Sequence, residues 1–262
     1  MTQRRTVLKG LAATTLLSSA GFTGRAFAED GNNPVSPDEI ETDHGNVVVQ
    51  PVNHASVVLT YQSNVIYVDP VGGQDRYKPF NRPTAILVTH AHSDHFDVPT
   101  LEALAPSAKV IIAPQIVLDG LSENLKAKAK LMKNGDEGDI NGLKVSAVPA
   151  YNTTPDRLKY HPRGVGNGYV LTLGDAKVYV AGDTEDIPEM RALTGIGIAF
   201  LPMNLPYTMT GEQAASAARE FKPLMVYPYH YGKDGPGPDN FAAAMKGATG
   251  VRIRQRDWYA YS

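Results

Sequence analysis

From residue 47 onward, short β-branched runs alternate with polar or glycine- and proline-rich breaks. The runs are Val47–Val49, Ser56–Thr60, Val65–Val68, Ala85–Val88, Val110–Ile112, Leu143–Val148, Tyr169–Leu173, Lys177–Val180, Ile198–Leu201 and Leu224–Tyr227. Their length and β-branched content predict strands rather than buried helices. Gly174-Asp175, between two of them, predicts a hairpin turn. Helical stretches lie between the later runs. Pro99–Leu104 begins with proline at a first helical position. Thr210-Gly211-Glu212-Gln213 forms a capping-box pattern ahead of residues 214–221, and Phe241–Met245 is a shorter candidate. Hairpin-joined strands open each half and strand–helix alternation follows. That order predicts an α/β fold with two sheets face to face and helices outside, a four-layer αββα sandwich.

The polar residues break this pattern in one consistent way. Asp69 follows Val65–Val68, His90 follows Ala85–Thr89, Asp183 follows Val178–Ala181, and His230 follows Leu224–Tyr229. A core gains nothing from a polar residue at the end of each of four strands, whereas a site at one sheet edge requires it. The densest cluster is the run Thr89-His90-Ala91-His92-Ser93-Asp94-His95. Alternate residues of an extended segment project to one side, so His90 and His92 can meet one ion. A turn after them would swing Asp94 and His95 toward a second position. Asp69 before Pro70 also fits a turn cap, and Gly-Asp-Thr at residues 182–184 is by itself a weak signal, because aspartate is common in tight turns.

Composition narrows the chemistry. The chain has 262 residues, 42% hydrophobic, with a formal net charge of -2 and no cysteine. Thiolate metal sites, disulfides and cysteine nucleophiles are excluded, so any metal is held by nitrogen and oxygen. No basic cluster exists to neutralise phosphates, which argues against a nucleic-acid partner. Residues 1–28 read as a twin-arginine export signal: Arg4-Arg5, a weakly apolar stretch from Gly10 to about Phe22, and Ala26-Phe27-Ala28 before Glu29. The stretch is shorter than the ~20 apolar residues of a membrane span. The expectation is therefore an exported bacterial protein, periplasmic or secreted, with the twin-arginine translocase as a transient partner and no stable membrane association after signal removal. Residues 29–41 read as a flexible lead-in and residues 42–262 as one domain.

These motifs resemble the metallo-β-lactamase superfamily. The resemblance runs from about Val47 to His230 and is carried by Asp69, the His90–His95 run, Asp183 within Ala181-Gly182-Asp183-Thr184, and His230. Asn53-His54-Ala55-Ser56, Pro149–Asn152 and His161–Gly164 look like the branch containing the ascorbate-6-phosphate lactonase and the N-acylphosphatidylethanolamine phospholipase D. The resemblance implies a first metal held by His90 and His92, a second held by Asp94, His95 and His230, Asp183 between them, and Asp69 as an acceptor that orients a ligand histidine. Where the family supplies a further histidine for the first metal, this chain has Asn152. Three readings follow: His161 folds back to ligate, Asn152 binds weakly, or one ion is held tightly and the other is not.

The function implied is metal-dependent hydrolysis of an ester, lactone, amide or phosphodiester in a small molecule. A hydroxide held by one or two divalent ions would attack; Zn2+ is the leading expectation, with Mn2+, Ni2+ and Fe2+ as alternatives. A metal-held water, His54 or Asp94 would serve the leaving group. Two alternatives stay open: a mononuclear non-haem iron oxidoreductase using His90, His92 and Asp183, and a metal-binding protein without catalysis. A serine triad is a poor alternative, because no Gly-x-Ser-x-Gly elbow exists and every well-placed histidine already has a metal role. Pocket walls are expected from residues 151–163, 204–209 and 231–238, with Tyr207 and Tyr231 as candidate substrate contacts.

Overall fold

A computed structural model describes residues 36–260. The export signal read at residues 1–28 lies outside the described residues. The first sheet opens with β1 (Asp38–Thr42), β2 (Gly45–Asn53), β3 (Ser56–Tyr61) and β4 (Asn64–Val68), joined as antiparallel hairpins. It continues with β5 (Ala85–Leu87), β6 (Val110–Ala113) and β7 (Ala129–Leu131), all parallel. The second sheet repeats the plan. The strands β8 (Glu137–Ile140), β9 (Leu143–Ala150), β10 (Gly166–Leu173) and β11 (Ala176–Val180) are antiparallel, and β12 (Ile196–Pro202), β13 (Met225–Tyr229) and β14 (Arg252–Ile253) follow in parallel. Each sheet thus has seven strands in sequential order.

Helices α1 (Val98–Leu104), α2 (Gln115–Gly120) and α3 (Glu123–Lys126) cover the first sheet. The second is covered by α4 (Pro188–Arg191), α5 (Gly211–Phe221) and α6 (Gly237–Ala244). Strand residues alternate between layers, as a period of two requires. Val58 and Ile86 pack under α1 to α3, whereas Val57, Leu59 and Leu87 are buried on the opposite face. In β13, Val226 meets the helices, and Tyr227 and Tyr229 turn inward. Helices outside and two sheets inside make the αββα sandwich.

The predicted hairpin stands at Gly174-Asp175, where Leu173 pairs with Ala176. Thr210 and Gln213 form the reciprocal capping box at the start of α5. The helix expected at 241–245 begins earlier, at Gly237. The lead-in is corrected. Residues 38–41 belong to β1, whose Asp38 and Ile40 are buried while Glu39 and Glu41 face solvent. An acidic segment conceals a strand here because the inward aspartate is neutralised by the far end of the chain. Asp38 accepts from Tyr227 Oη at 2.9 Å and Arg254 Nε at 3.0 Å, and Arg256 Nη1 lies 2.7 Å away.

This clamp joins the first strand of one sheet to the segment after the last strand of the other. Asp38→Ala leaves two guanidinium groups without their carboxylate, and is expected to cost about 3 kcal/mol of unfolding free energy. Urea denaturation checks this; a loss below ~1 kcal/mol, the worth of an exposed pair, would show that the clamp contributes little.

Candidate metal centre

The strands β4, β5, β11 and β13 end at one edge of the sandwich, and the polar residues after them converge there. Tight backbone geometry makes this convergence possible. Three of the six described non-glycine residues with positive φ lie in the site: His54 (51°), Asp69 (47°) and His230 (46°). Strained backbone is thus concentrated where side chains are aimed. Gly182 has φ 64°, and a Cβ there would meet the Asn167 carbonyl oxygen at 2.8 Å and Thr89 Cβ at 3.1 Å. Only glycine lets the chain turn this close, and the turn delivers Asp183.

Two sets of ligand-type atoms form around Asp183. In the first, His90 Nε2 lies 3.1 Å from His92 Nδ1, which lies 3.2 Å from His161 Nε2. Asp183 Oδ2 stands 3.2 Å from His161 Nε2 and 3.9 Å from His90 Nε2. In the second, Asp183 Oδ1 is 3.3 Å from both His95 Nε2 and His230 Nε2. Asp94 Oδ2 is 3.3 Å from His230 Nε2 and 3.8 Å from His95 Nε2. Four tetrahedral ligands ~2.1 Å from an ion sit about 3.4 Å apart, so both sets have the spacing of a cation cage. His95 Nε2, His230 Nε2 and Asp183 Oδ1 are buried without a well-directed hydrogen bond among the described residues. Orphaned buried atoms aimed at one point fit a missing cation.

Burial and charge keep the set ready to bind. Burial pushes the His90 imidazole well down, with His95 adding to it, and burial and then His161 lower His92. Their lone pairs are therefore free. Burial alone would raise Asp183, but His230 and His95 hold it well below the usual carboxylate range. Burial opposes charge on Asp94 as well, and the facing His230 and His54 rings keep it ionised. Against the pull of burial, Asp183 and Asp69 lift His95 well above the ordinary range. A cation taken up at its Nε2 would displace a proton.

Asp69 orients these rings. Its Oδ2 accepts from His95 Nδ1–H at 2.8 Å and from Thr89 Oγ1 at 2.7 Å, and its Oδ1 accepts from the Thr89 N–H at 2.7 Å. With its proton on Asp69, Thr89 Oγ1 accepts from His90 Nδ1–H at 3.0 Å. Both rings therefore present Nε2 to the centre.

A family model described as the beta-lactamase superfamily domain matches residues 48–230. The chain belongs to the beta-lactamase superfamily. As a superfamily member it is 34% identical over 196 residues to a UPF0173 metal-dependent hydrolase of Pyrococcus horikoshii, covering 71% of this chain and 84% of that protein. It is 44% identical to a solved structure from Parabacteroides distasonis named as a metal-dependent hydrolase, with TM-score 0.77 and coverage of 85% of this chain and 99% of that one. CmlA, a diiron β-hydroxylase of Streptomyces venezuelae, aligns at 17% identity with TM-score 0.65, over 80% of this chain and 53% of that one. That likeness shows the fold alone. This superfamily member is a metal-dependent hydrolase.

Of the three readings left by Asn152, the geometry of this superfamily member favours the first. His161 folds back beside His92, and its Nδ1–H donates to the Tyr207 carbonyl at 2.9 Å, which leaves Nε2 facing Asp183. Asn152 is buried behind it. Its N–H donates to the His161 carbonyl at 2.9 Å, and its amide donates to the Tyr207 carbonyl at 2.7 Å. Of the two tyrosines singled out, the Tyr207 side chain is exposed, whereas Tyr231 Oη is tied to the Arg256 carbonyl.

Sequence reasoning missed the groups that hold the His161 loop. Glu185, fully buried, accepts at Oε2 from the Thr153 N–H, the Thr153 hydroxyl and the Thr154 N–H, at 2.6–2.8 Å. Its Oε1 accepts from Arg157 Nη1 at 2.7 Å. The one available signal was position, two residues beyond Asp183. Tyr259 was missed too: its hydroxyl lies 2.7 Å from His54 Nδ1, while His54 Nε2 lies 3.2 Å from Asp94 Oδ2.

Glu185→Ala removes the acceptor for four donors and leaves Arg157 Nη1 with only the Thr208 carbonyl at 3.3 Å and Gln213 Oε1 at 3.2 Å. Residues 153–162 should then lose amide-exchange protection while the β10–β11 hairpin keeps its own. Equal protection of that segment in both proteins would disprove the bracing role.

Proposed function

We propose that this enzyme hydrolyses an ester, lactone, amide or phosphodiester bond of a small, partly apolar molecule outside the cytoplasm. The observation that carries the reading is the sharing of one buried carboxylate: Asp183 offers Oδ2 to one set of imidazoles and Oδ1 to the other. His90, His92, His161 and Asp183 would hold a first divalent ion, and Asp94, His95, His230 and Asp183 a second. Nitrogen and oxygen ligands at these spacings favour Zn2+, with Mn2+, Ni2+ and Fe2+ as alternatives. Bound divalent ions supply a water nucleophile near neutral pH and polarise the oxygen under attack.

The chain's own residues do the rest. Asp69 and Thr89 fix the rings of His95 and His90, a role worth roughly ten- to a hundredfold in affinity or activity. Asp94 is half-exposed and His92 is exposed, so substrate reaches the centre across that edge. Asp94 is held as an acceptor and has no proton to give, which leaves His54 Nε2–H as the protein's donor toward a leaving group. Four large apolar residues that are solvent-exposed, Leu158, Val165, Leu205 and Tyr207, lie in or beside the loops that carry and hold His161. If these side chains border the entrance, they favour a substrate with an acyl or aryl portion. The twin-arginine pattern at residues 1–28 supports export of the folded, metal-loaded protein to the periplasm or beyond, with no nucleic-acid or lasting membrane partner.

The iron reading is weaker. Two histidines and one carboxylate would leave His161, His95 and His230 aimed at the centre without purpose.

Anomalous scattering at the metal edges, combined with an ester, lactone and phosphodiester panel, tests the proposal. Two ions with hydrolysis support it; one iron per chain with oxygen uptake would overturn it. His92→Ala and Asp183→Ala are each expected to reduce turnover at least a hundredfold with little change in melting temperature. Turnover within a few-fold of the parent would remove these residues from the site. Asn152→His should leave metal stoichiometry unchanged, since His161 takes that place; a gain of one ion per chain would contradict it.

A further inference from the structure

His54 lies within reach of the second cation position, beside Asp94 and His230, and its role as a donor depends on which ring nitrogen carries the hydrogen. Its Nε2 lies 3.2 Å from Asp94 Oδ2, its ring centroid is 3.9 Å from that of His230, and its Nδ1 is 2.7 Å from Tyr259 Oη. The partners of the two ring nitrogens decide which of them carries the hydrogen. Asp94 is a carboxylate facing His54 and His230, so it offers only lone pairs, and a hydrogen bond to it requires the proton on Nε2. In the neutral ring Nδ1 is then an acceptor, and its partner must donate. Tyr259 is arranged to do so. Backbone hydrogen bonds from Gly232 and Tyr231 to its hydroxyl oxygen leave the hydroxyl proton available to the imidazole at 2.7 Å.

The rest of the C-terminal segment holds this contact in place. Trp258 is fully buried, with Nε1 donating to the Pro228 carbonyl at 2.8 Å. The Trp258 carbonyl accepts from the His54 N–H at 3.0 Å, and the His54 carbonyl accepts from the His230 N–H at 3.1 Å. Tyr259 stands edge-on to Tyr231 at 5.4 Å and to His54 at 5.7 Å. The strained, positive-φ His54 is therefore pinned by main chain on both sides, and the tyrosine selects which nitrogen carries the hydrogen.

We infer that Tyr259 is a positioning residue that holds His54 as its Nε2–H tautomer, so that His54 donates a hydrogen bond at the open edge of the centre instead of ligating a cation. The kinetic consequence rests on the hydrolase reading; the tautomer does not. Without the hydroxyl, only Asp94 favours the proton on Nε2, and where Asp94 is engaged by a cation the proton can settle on Nδ1 and leave the Nε2 lone pair to that cation.

The test uses the full chain loaded with Zn2+ and labelled with 15N at histidine. Long-range 1H–15N spectra distinguish the protonated from the bare ring nitrogen, with His54→Gln used to assign the signals. The parent should show a protonated Nε2 and a bare Nδ1 at His54. Tyr259→Phe, which keeps the ring, should lose that pattern at His54 alone, with metal content and melting temperature unchanged. It should also lower kcat tenfold or more, part of the ~10²–10⁴-fold that a positioned proton donor supplies, with KM within about twofold, and the double variant with His54→Gln should be no slower than His54→Gln alone. A bare Nε2 in the parent overturns the inference without any variant, as does a Tyr259→Phe protein with the parent's pattern and kcat. If the tautomer changes as stated but neither protein hydrolyses any substrate, the hydrolase reading fails and the role of Tyr259 stands.

Discussion

A carboxylate buried among imidazoles is the constraint on which the rest of the structure depends. Asp183 is almost wholly inaccessible, and both of its oxygens face ring nitrogens rather than water. An ionised group in that position is costly unless charge of the opposite sign is close by. The imidazoles around it offset part of this cost, but His90 and His92 are themselves pushed toward the neutral form by burial. The architecture therefore concentrates negative charge and lone pairs at one point and supplies few protons to balance them. That arrangement is stable in the presence of cations, and it explains why the ends of both sheets must be brought together accurately.

The scaffold achieves this by giving strain to single residues rather than to whole elements. Parallel strands end at the same edge, and a left-handed turn at Asp69, His230 or Gly182 then redirects the chain within one residue. Each strained residue is held by partners. Asp69 is fixed by three hydrogen bonds from Thr89 and His95, and Gly182 by the absence of any space for a side chain. Ring orientation is thus decided one step behind the centre, in a dry layer where hydrogen bonds are strong.

Most strands and the His90–His95 run were legible in the sequence because they obey local rules: a period of two, and ligand-type residues at strand ends. Residues 38–41 were not, since the neutralising partners of Asp38 come from Arg254 and Arg256, more than two hundred positions away. Helices α2, α3 and α4 are too short to leave a periodic signal. At the centre, local spacing could raise the question of Asn152 and His161 but not answer it. The answer depends on how Glu185, Arg157 and the Tyr207 carbonyl fold a loop of irregular backbone. Tyr259 left no trace, because a tyrosine acquires meaning only from the histidine it touches.

The loop that carries His161 has a thermodynamic consequence. Every other imidazole of the centre comes from a strand end or the turn just after it, whereas His161 comes from a segment that is ordered through Glu185 and the carbonyl of an exposed tyrosine. Ordering of this loop and occupancy of the first position are then two faces of a single equilibrium. By reciprocity, whatever steadies the loop tightens the ion by the same factor that the ion steadies the loop. A molecule resting its apolar part on Leu158 or Tyr207 would thereby complete the centre that acts on it, and a poorly fitting one would leave it loose. Selectivity in such a protein can reside in assembly as much as in contact.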